Sequence, residues 1–282
     1  MKETFDTSPQ SDMIDLPGGR FHYLCWGSQQ RERPCAVLLH GITSSALSWV
    51  RVGPALADRY RVYALDMRGH GDSVKAPAGS YSLRETADDA QAFIEALDLK
   101  RPLLMGHSWG GATAMMLASG AGTAKAAPVF SAILLEDPAI DFGRGDAEKR
   151  ATPYTRDIGR PAEELRPELI ANSPGWTEAD IEGKLDAMSK LSREAVVSVF
   201  EQVGQLGNLL PLFARLTAPT LLIRADSALG TTIDETNWEA AKPSLPAKSR
   251  AVQIDGATHN IHRSKFDAFM QVVNDFLLTV TD

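Results

Sequence analysis

Cysteine, long apolar runs and excess positive charge are all scarce in this chain. Its two cysteines, Cys25 and Cys35, each fall in a segment that reads as a strand. Two thiols make neither a disulfide framework nor a metal set, and both read as packing residues in a reducing compartment. No apolar run approaches the ~20 residues that a membrane helix needs. The opening MKETFDTSPQSD is polar and has no signal-peptide core. The net charge is −7, and no Lys/Arg stripe is interleaved with aromatics, which argues against a nucleic-acid surface. There is no internal repeat and no low-complexity tract. The chain therefore reads as a cytoplasmic globular protein, with no membrane or nucleic-acid partner expected. At 282 residues, 44% hydrophobic and 23% charged, it can build one large core or a core with an insertion.

Short apolar runs recur along the chain. MIDLPGGRFHYLCWG reads as two strands joined at Gly18-Gly19, a hairpin signal. CAVLLH, RVYALD, PLLMG, SAILLE, PTLLIR and RAVQI fit buried strands. Helical patterns such as SLRETADDAQAFIEALDL and the terminal SKFDAFMQVVNDFLLTV alternate with them. Alternating strands and helices imply an α/β fold, a mostly parallel sheet with helices on both faces. The alternation fails between residues 141 and 211, which hold at least three helix candidates, PAEELRPELIAN, TEADIEGKLDAMS and REAVVSVFEQVGQL. The expected organisation is therefore a core over 1–140, a helical cap over 141–211, and a second piece of core over 212–282.

The stretch LLMGHSWGGATAMML interrupts an apolar run with a serine between glycines. Gly106 and Gly110 flank Ser108 at two residues on either side, where small residues let a strand and the following helix approach around a strained turn. Ser108 is then a candidate nucleophile, placed at the positive end of a helix dipole. LLHGITSS ends another buried strand at His40-Gly41. The backbone N–H groups of Ile42 and Trp109 could together receive an oxyanion. GATHNIHR puts His259 just after the last strand, and it is preferred as base over His262, which is expected to hydrogen-bond locally. This H-x-x-H lacks the i,i+4 spacing and the glutamate of the zinc helix motif. His22 and His70 have no comparable placement, and His107 is expected to line the turn.

LLHG, DMRGHGDS, GHSWGG, LLEDPA and GATHNIHR together resemble the α/β-hydrolase superfamily, in its capped, serine-nucleophile branch of carboxylesterases and lactonases. The resemblance spans nearly the whole chain and implies a nucleophile–acid–histidine triad without cofactor or metal. It also implies that Arg68 and Asp72 scaffold their loop. One motif departs from the family. The acid usually lies in a G-x-x-D loop after the strand PTLLIR, but here the loop reads RADSALG, with Ala228 at the expected position and Asp226 two residues early. In some members the acid follows the strand after the nucleophile helix, where this chain has Glu136 and Asp137. Glu136 is the preferred orienting acid, Asp226 the second, and Asp137, as part of a D-P turn, the third.

Serine at the elbow argues against the haloalkane dehalogenases and epoxide hydrolases of the superfamily, which use a carboxylate there. The implied reaction is acyl transfer on a small hydrophobic ester or lactone. Trp176, Leu185, Met188, Val196, Val197, Phe200 and Leu206 are expected mostly to pack the cap, with one or two walling an acyl pocket. Three alternatives stay open: carbon–carbon hydrolysis of ring-cleavage products, cofactor-free perhydrolase or lyase chemistry, and a ligand-binding protein that hardly turns over. Nothing in the pattern bears on oligomeric state.

Overall fold

The computed structural model describes residues 8–121 and 126–280. All the strands expected from the sequence form, and they join one eight-stranded sheet. β1 (Gln10–Leu16) and β2 (Gly19–Trp26) are the expected hairpin, with Leu16 opposite Gly19 across the turn. β3 (Cys35–Leu39), β4 (Arg61–Leu65), β5 (Leu103–His107), β6 (Ala132–Glu136), β7 (Thr220–Arg224) and β8 (Arg250–Gln253) follow. Across the sheet the order is β1-β2-β4-β3-β5-β6-β7-β8. The β1–β2 and β2–β4 pairs are antiparallel and the rest parallel.

Parallel neighbours need crossovers, which helices supply. α1 (Val52–Ala57), α2 (Leu83–Ala96) and α3 (Trp109–Ala118) connect the strands from β3 to β6. α4 (Ala147–Thr155), α5 (Ala162–Asn172), α6 (Glu178–Lys190) and α7 (Arg193–Val203) lie between β6 and β7. α8 (Glu235–Ala241) precedes β8, and α9 (Ile261–Ser264) and α10 (Phe266–Val280) end the chain. α2 starts at a reciprocal cap: Glu85 N–H donates to Ser82 Oγ (3.2 Å), and Ser82 N–H donates to Glu85 Oε2 (2.9 Å). That arrangement satisfies two otherwise orphaned N–H groups.

β3, β5, β6 and β7 are buried along their whole length, as continuous apolar runs require. Strand alternation sorts their side chains into two cores. Leu39, Leu104, Leu135 and Leu222 pack with α2, α3 and α7 through residues such as Phe93, Met115 and Phe200. Leu38, Met105, Leu134 and Ile223 pack with α1 and α10 through Leu56, Phe269 and Phe276. Cys25 and Cys35 are buried and unbridged. Burial pushes the Cys25 thiol up to about 11, which keeps it protonated and inert.

The segment between β6 and β7 holds four α-helices, consistent with the at least three expected from the sequence. α5, α6 and α7 match the patterns. α4 is the addition: its AEKRATPYT buries only Ala151 and Thr155 and contains Pro153, so no apolar stripe announces it. Arg68 clamps Asp89 through two buried hydrogen bonds, of 2.5 and 2.8 Å. Lys190 on α6 pairs with Asp72 at 2.8 Å. Among the described residues, no helix is long and apolar enough to cross a membrane.

Candidate active site

The parallel strands all point their C-terminal ends at one edge, where such sheets place their sites. β5 passes into α3 through Ser108, whose φ is 53° and ψ −118°. A non-glycine residue there costs about 1–3 kcal/mol, so the surroundings must impose it. Ser108 N–H donates to Glu136 O, and Ser108 O accepts from Ala112 and Ala139 N–H, each at 3.0 Å. A Cβ on Gly106 would collide with the Gly110 carbonyl, and one on Gly110 with the carbonyls of Leu39 and His40. The two glycines are therefore needed for close approach.

The loop after β3 lies against this turn. A Cβ on Gly41 would stand 2.8 Å from His107 Nδ1 and 3.4 Å from Ser108 Cβ. His40 fixes the loop: its Nδ1–H donates to Gly41 O (2.8 Å), and its Nε2 accepts from Met67 N–H (3.0 Å). Burial lowers the His40 pKa, which suits the neutral ring this pattern needs. Ile42 and Ser108 border the same cavity. Trp109 is the first residue of α3, a position whose N–H has no partner within the helix. Its indole is buried against His70, with ring centroids 5.0 Å apart.

His259 also borders that cavity, and its Nδ1–H donates to Asp137 Oδ2 at 2.6 Å. Asp137 is fully buried and held by further donors: Thr231 Oγ1 at 2.5 Å, Thr232 N–H at 3.1 Å and Ala225 N–H at 3.4 Å. His107 braces His259 from behind, donating from Nε2 to His259 O at 3.0 Å. Neither Thr231, Thr232 nor this bond of His107 is signalled by a motif.

The preferred acid is thereby corrected. Glu136, the last residue of β6, turns to the opposite face and accepts from His262 N–H (2.9 Å) and Nδ1–H (2.8 Å). Successive strand residues face opposite ways, so Glu136 goes towards α9 and α10. Asp137, one residue beyond at φ 38°, is free to swing towards His259. Asp226 is corrected too: it braces a loop, accepting from Gly256 N–H (2.7 Å) and Ala228 N–H (2.9 Å), and those donors lower its pKa. The local role expected of His262 is the observed one. Its Nε2 accepts from Ser48 Oγ at 3.1 Å, and burial drives its pKa well below the usual range while raising that of Glu136.

The cavity measures about 170 Å³ and is walled by the 41–44 loop, His107, Ser108, Tyr154, Trp176, Lys184, His259, Asn260 and Arg263. Of the apolar insertion residues singled out in the sequence, only Trp176 reaches it. Leu185, Met188, Val196, Val197 and Phe200 are buried in the core, and Leu206 is exposed. Burial and the neighbouring Arg263 push the Lys184 ammonium down to about 7, and burial brings Arg263 down to about 10. A roomier cleft of about 340 Å³ beside Trp26, Arg33 and Pro54 contains no serine–histidine pair. His22, Asp66 and Asp72 lie close enough to share an ion. Asp66 Oδ2, however, already accepts from His22 Nδ1–H (2.7 Å) and Asp72 N–H (3.0 Å), so the cluster braces its loop.

The Alpha/beta hydrolase family model matches residues 36–272. N-formylmaleamate deformylase of Pseudomonas putida is 26% identical over 270 residues, which cover 94% of this chain and 95% of that protein. The crystal structure of E-2-(acetamidomethylene)succinate hydrolase aligns with a TM-score of 0.78 at 20% identity, over 95% of this chain and 99% of its own. The enol-lactonase from Burkholderia xenovorans LB400 gives 0.75 at 23%, over 95% and 100%. At those identities the structural likeness is one of fold. The matched span takes in the elbow, Asp137 and His259, and with the eight-stranded sheet around them the chain belongs to the alpha/beta hydrolase family.

Proposed function

We propose that this protein is a serine hydrolase that cleaves a small carboxylic ester or lactone through an acyl-enzyme. The observation that carries the reading is the 2.6 Å bond from His259 to buried Asp137, on a histidine that shares a cavity with the strained Ser108. With Nδ1–H committed to Asp137, His259 presents Nε2 as the proton acceptor. Ser108 Oγ attacks the carbonyl carbon as its proton passes to His259 Nε2. The N–H groups of Ile42 and Trp109 take the charge that develops on oxygen, each contributing about 3 kcal/mol in comparable sites. The tetrahedral intermediate collapses, and the leaving alkoxide takes the proton from His259. Water, deprotonated by His259, then releases the acid and restores Ser108. In this account the helices between β6 and β7 act as a cap, bringing Tyr154, Trp176 and Lys184 over the elbow.

A second reading, acyl transfer from nitrogen, is favoured by the deformylase named above, which aligns along almost its full length. The same machinery serves it, with His259 protonating a leaving amine. A panel of short esters, lactones, N-formyl amides and ring-cleavage dienoates, run on wild type and Ser108→Ala, separates these. Ester or lactone turnover lost in Ser108→Ala is the expected result. Failure to cleave any ester, together with no labelling of Ser108 by a fluorophosphonate, would overturn the proposal.

A further inference from the structure

We infer that the substrate carries a carboxylate, which Lys184 and Arg263 hold beside the scissile acyl group; this rests on the reading of Ser108 as the nucleophile. The cavity wall contains both cations and no aspartate or glutamate. Lys184 comes from α6 in the insertion and Arg263 from α9 in the core. The two hydrogen bonds of Lys184 go to neutral oxygens, Thr43 O (2.7 Å) and Thr43 Oγ1 (2.8 Å). An ammonium has three donors, so one is left for a ligand.

Arg263 is almost fully buried, with its guanidinium 4.3 Å from the Trp176 ring centre. Its Nη2 donates to Ser48 Oγ (3.1 Å) and Ser44 Oγ (3.4 Å), while its Nε has no hydrogen-bond partner. Its ion-pair partner, Asp180, stands at 3.8 Å and is shared with Arg51 at 3.2 Å. Asp180 thus pairs with two guanidinium groups, Glu136 acts on Arg263 only at longer range, and the Lys184 ammonium has no carboxylate in its hydrogen-bond shell. Cations held this way are costly unless an anion completes them. The depressed affinity of both groups for their protons reflects that cost. At about 170 Å³ the cavity is well below the ~300–1,000 Å³ that drug-sized ligands occupy, so the anion must be short.

The test is calorimetric and does not depend on turnover. Succinate and its neutral diamide are titrated into wild type and Lys184→Met, with fluorophosphonate labelling of Ser108 followed in parallel. Succinate should bind at least ~10-fold more tightly than the diamide and protect Ser108, and Lys184→Met should weaken it by about 10- to 100-fold, the loss of one charge-assisted bond. Its affinity should also fall between pH 6 and pH 8.5, as Lys184 gives up its proton and Arg263 stays charged. Besides Arg263, the ionisable groups around Lys184 are Asp157, His107, His259 and Tyr154, whose phenol burial keeps protonated across this range. A melting curve confirms that Lys184→Met is folded. Equal binding of succinate and diamide, or undiminished binding by folded Lys184→Met, would overturn the inference even if Ser108 is a working nucleophile. Succinate binding with a Ser108 that never labels would sink the hydrolase reading instead.

Discussion

Glu136 and Asp137 are adjacent in sequence, yet each has taken a different histidine. Glu136 and His262 are sealed on the α10 face, with side chains 0% and 1% exposed. Ser48 and Arg263 complete their chain of hydrogen bonds. Asp137 is as deeply buried, but its partner His259 is 30% exposed and meets the cavity. The chemical difference follows from that exposure. A sealed imidazole that burial keeps neutral can fasten α9 to the sheet but cannot exchange protons with a substrate. A half-open one, oriented by a buried carboxylate, can. Resemblance between two acid–histidine pairs therefore says little about function until their access to a ligand is known.

Four substitutions would sharpen the contrast. The largest effect on turnover belongs to Asp137→Asn, which should lower kcat on the order of 10⁴-fold in protein that a melting curve shows to be folded. Glu136→Ala should do the reverse: by leaving two His262 donors buried and unpaired it should cost about 2–6 kcal/mol in urea unfolding, at about 1–3 for each, with kcat of the folded fraction within ~10-fold of wild type. Thr231→Val removes one donor from the Asp137 carboxylate and should cost roughly 10-fold in kcat. Asp226→Asn, in an exposed loop, should change kcat less than about twofold and stability by under ~1 kcal/mol. If Asp226→Asn instead proved as damaging as Asp137→Asn, the assignment of the acid would be wrong.

The strands, the elbow and His259 are legible in the sequence because each has a local cause. Short buried runs mark strands, small residues permit the Ser108 turn, and the chain leaves the sheet at GATH. The acid depends on something longer in range. Whether Glu136 or Asp137 faces His259 turns on where β6 ends, by a single residue, and on the 225–232 loop that supplies three donors to Asp137. Lys184 is hidden for a similar reason. In TEADIEGKLDAMS it looks like one more charge on a solvated helix face, and only the docking of α6 beside the 41–44 loop, with Gly183 against Leu47, puts it at the cavity. α4 was illegible because it buries so little.

The proposed chemistry requires Ser108, His259 and Asp137 to act as one unit. The direct measurement is the rate of fluorophosphonate attachment to Ser108, followed by intact mass, in wild type, Asp137→Asn and Glu136→Gln. A single adduct on Ser108 should form at similar rates in wild type and Glu136→Gln and at least ~10³-fold more slowly in Asp137→Asn. Labelling of Asp137→Asn at the wild-type rate would contradict it.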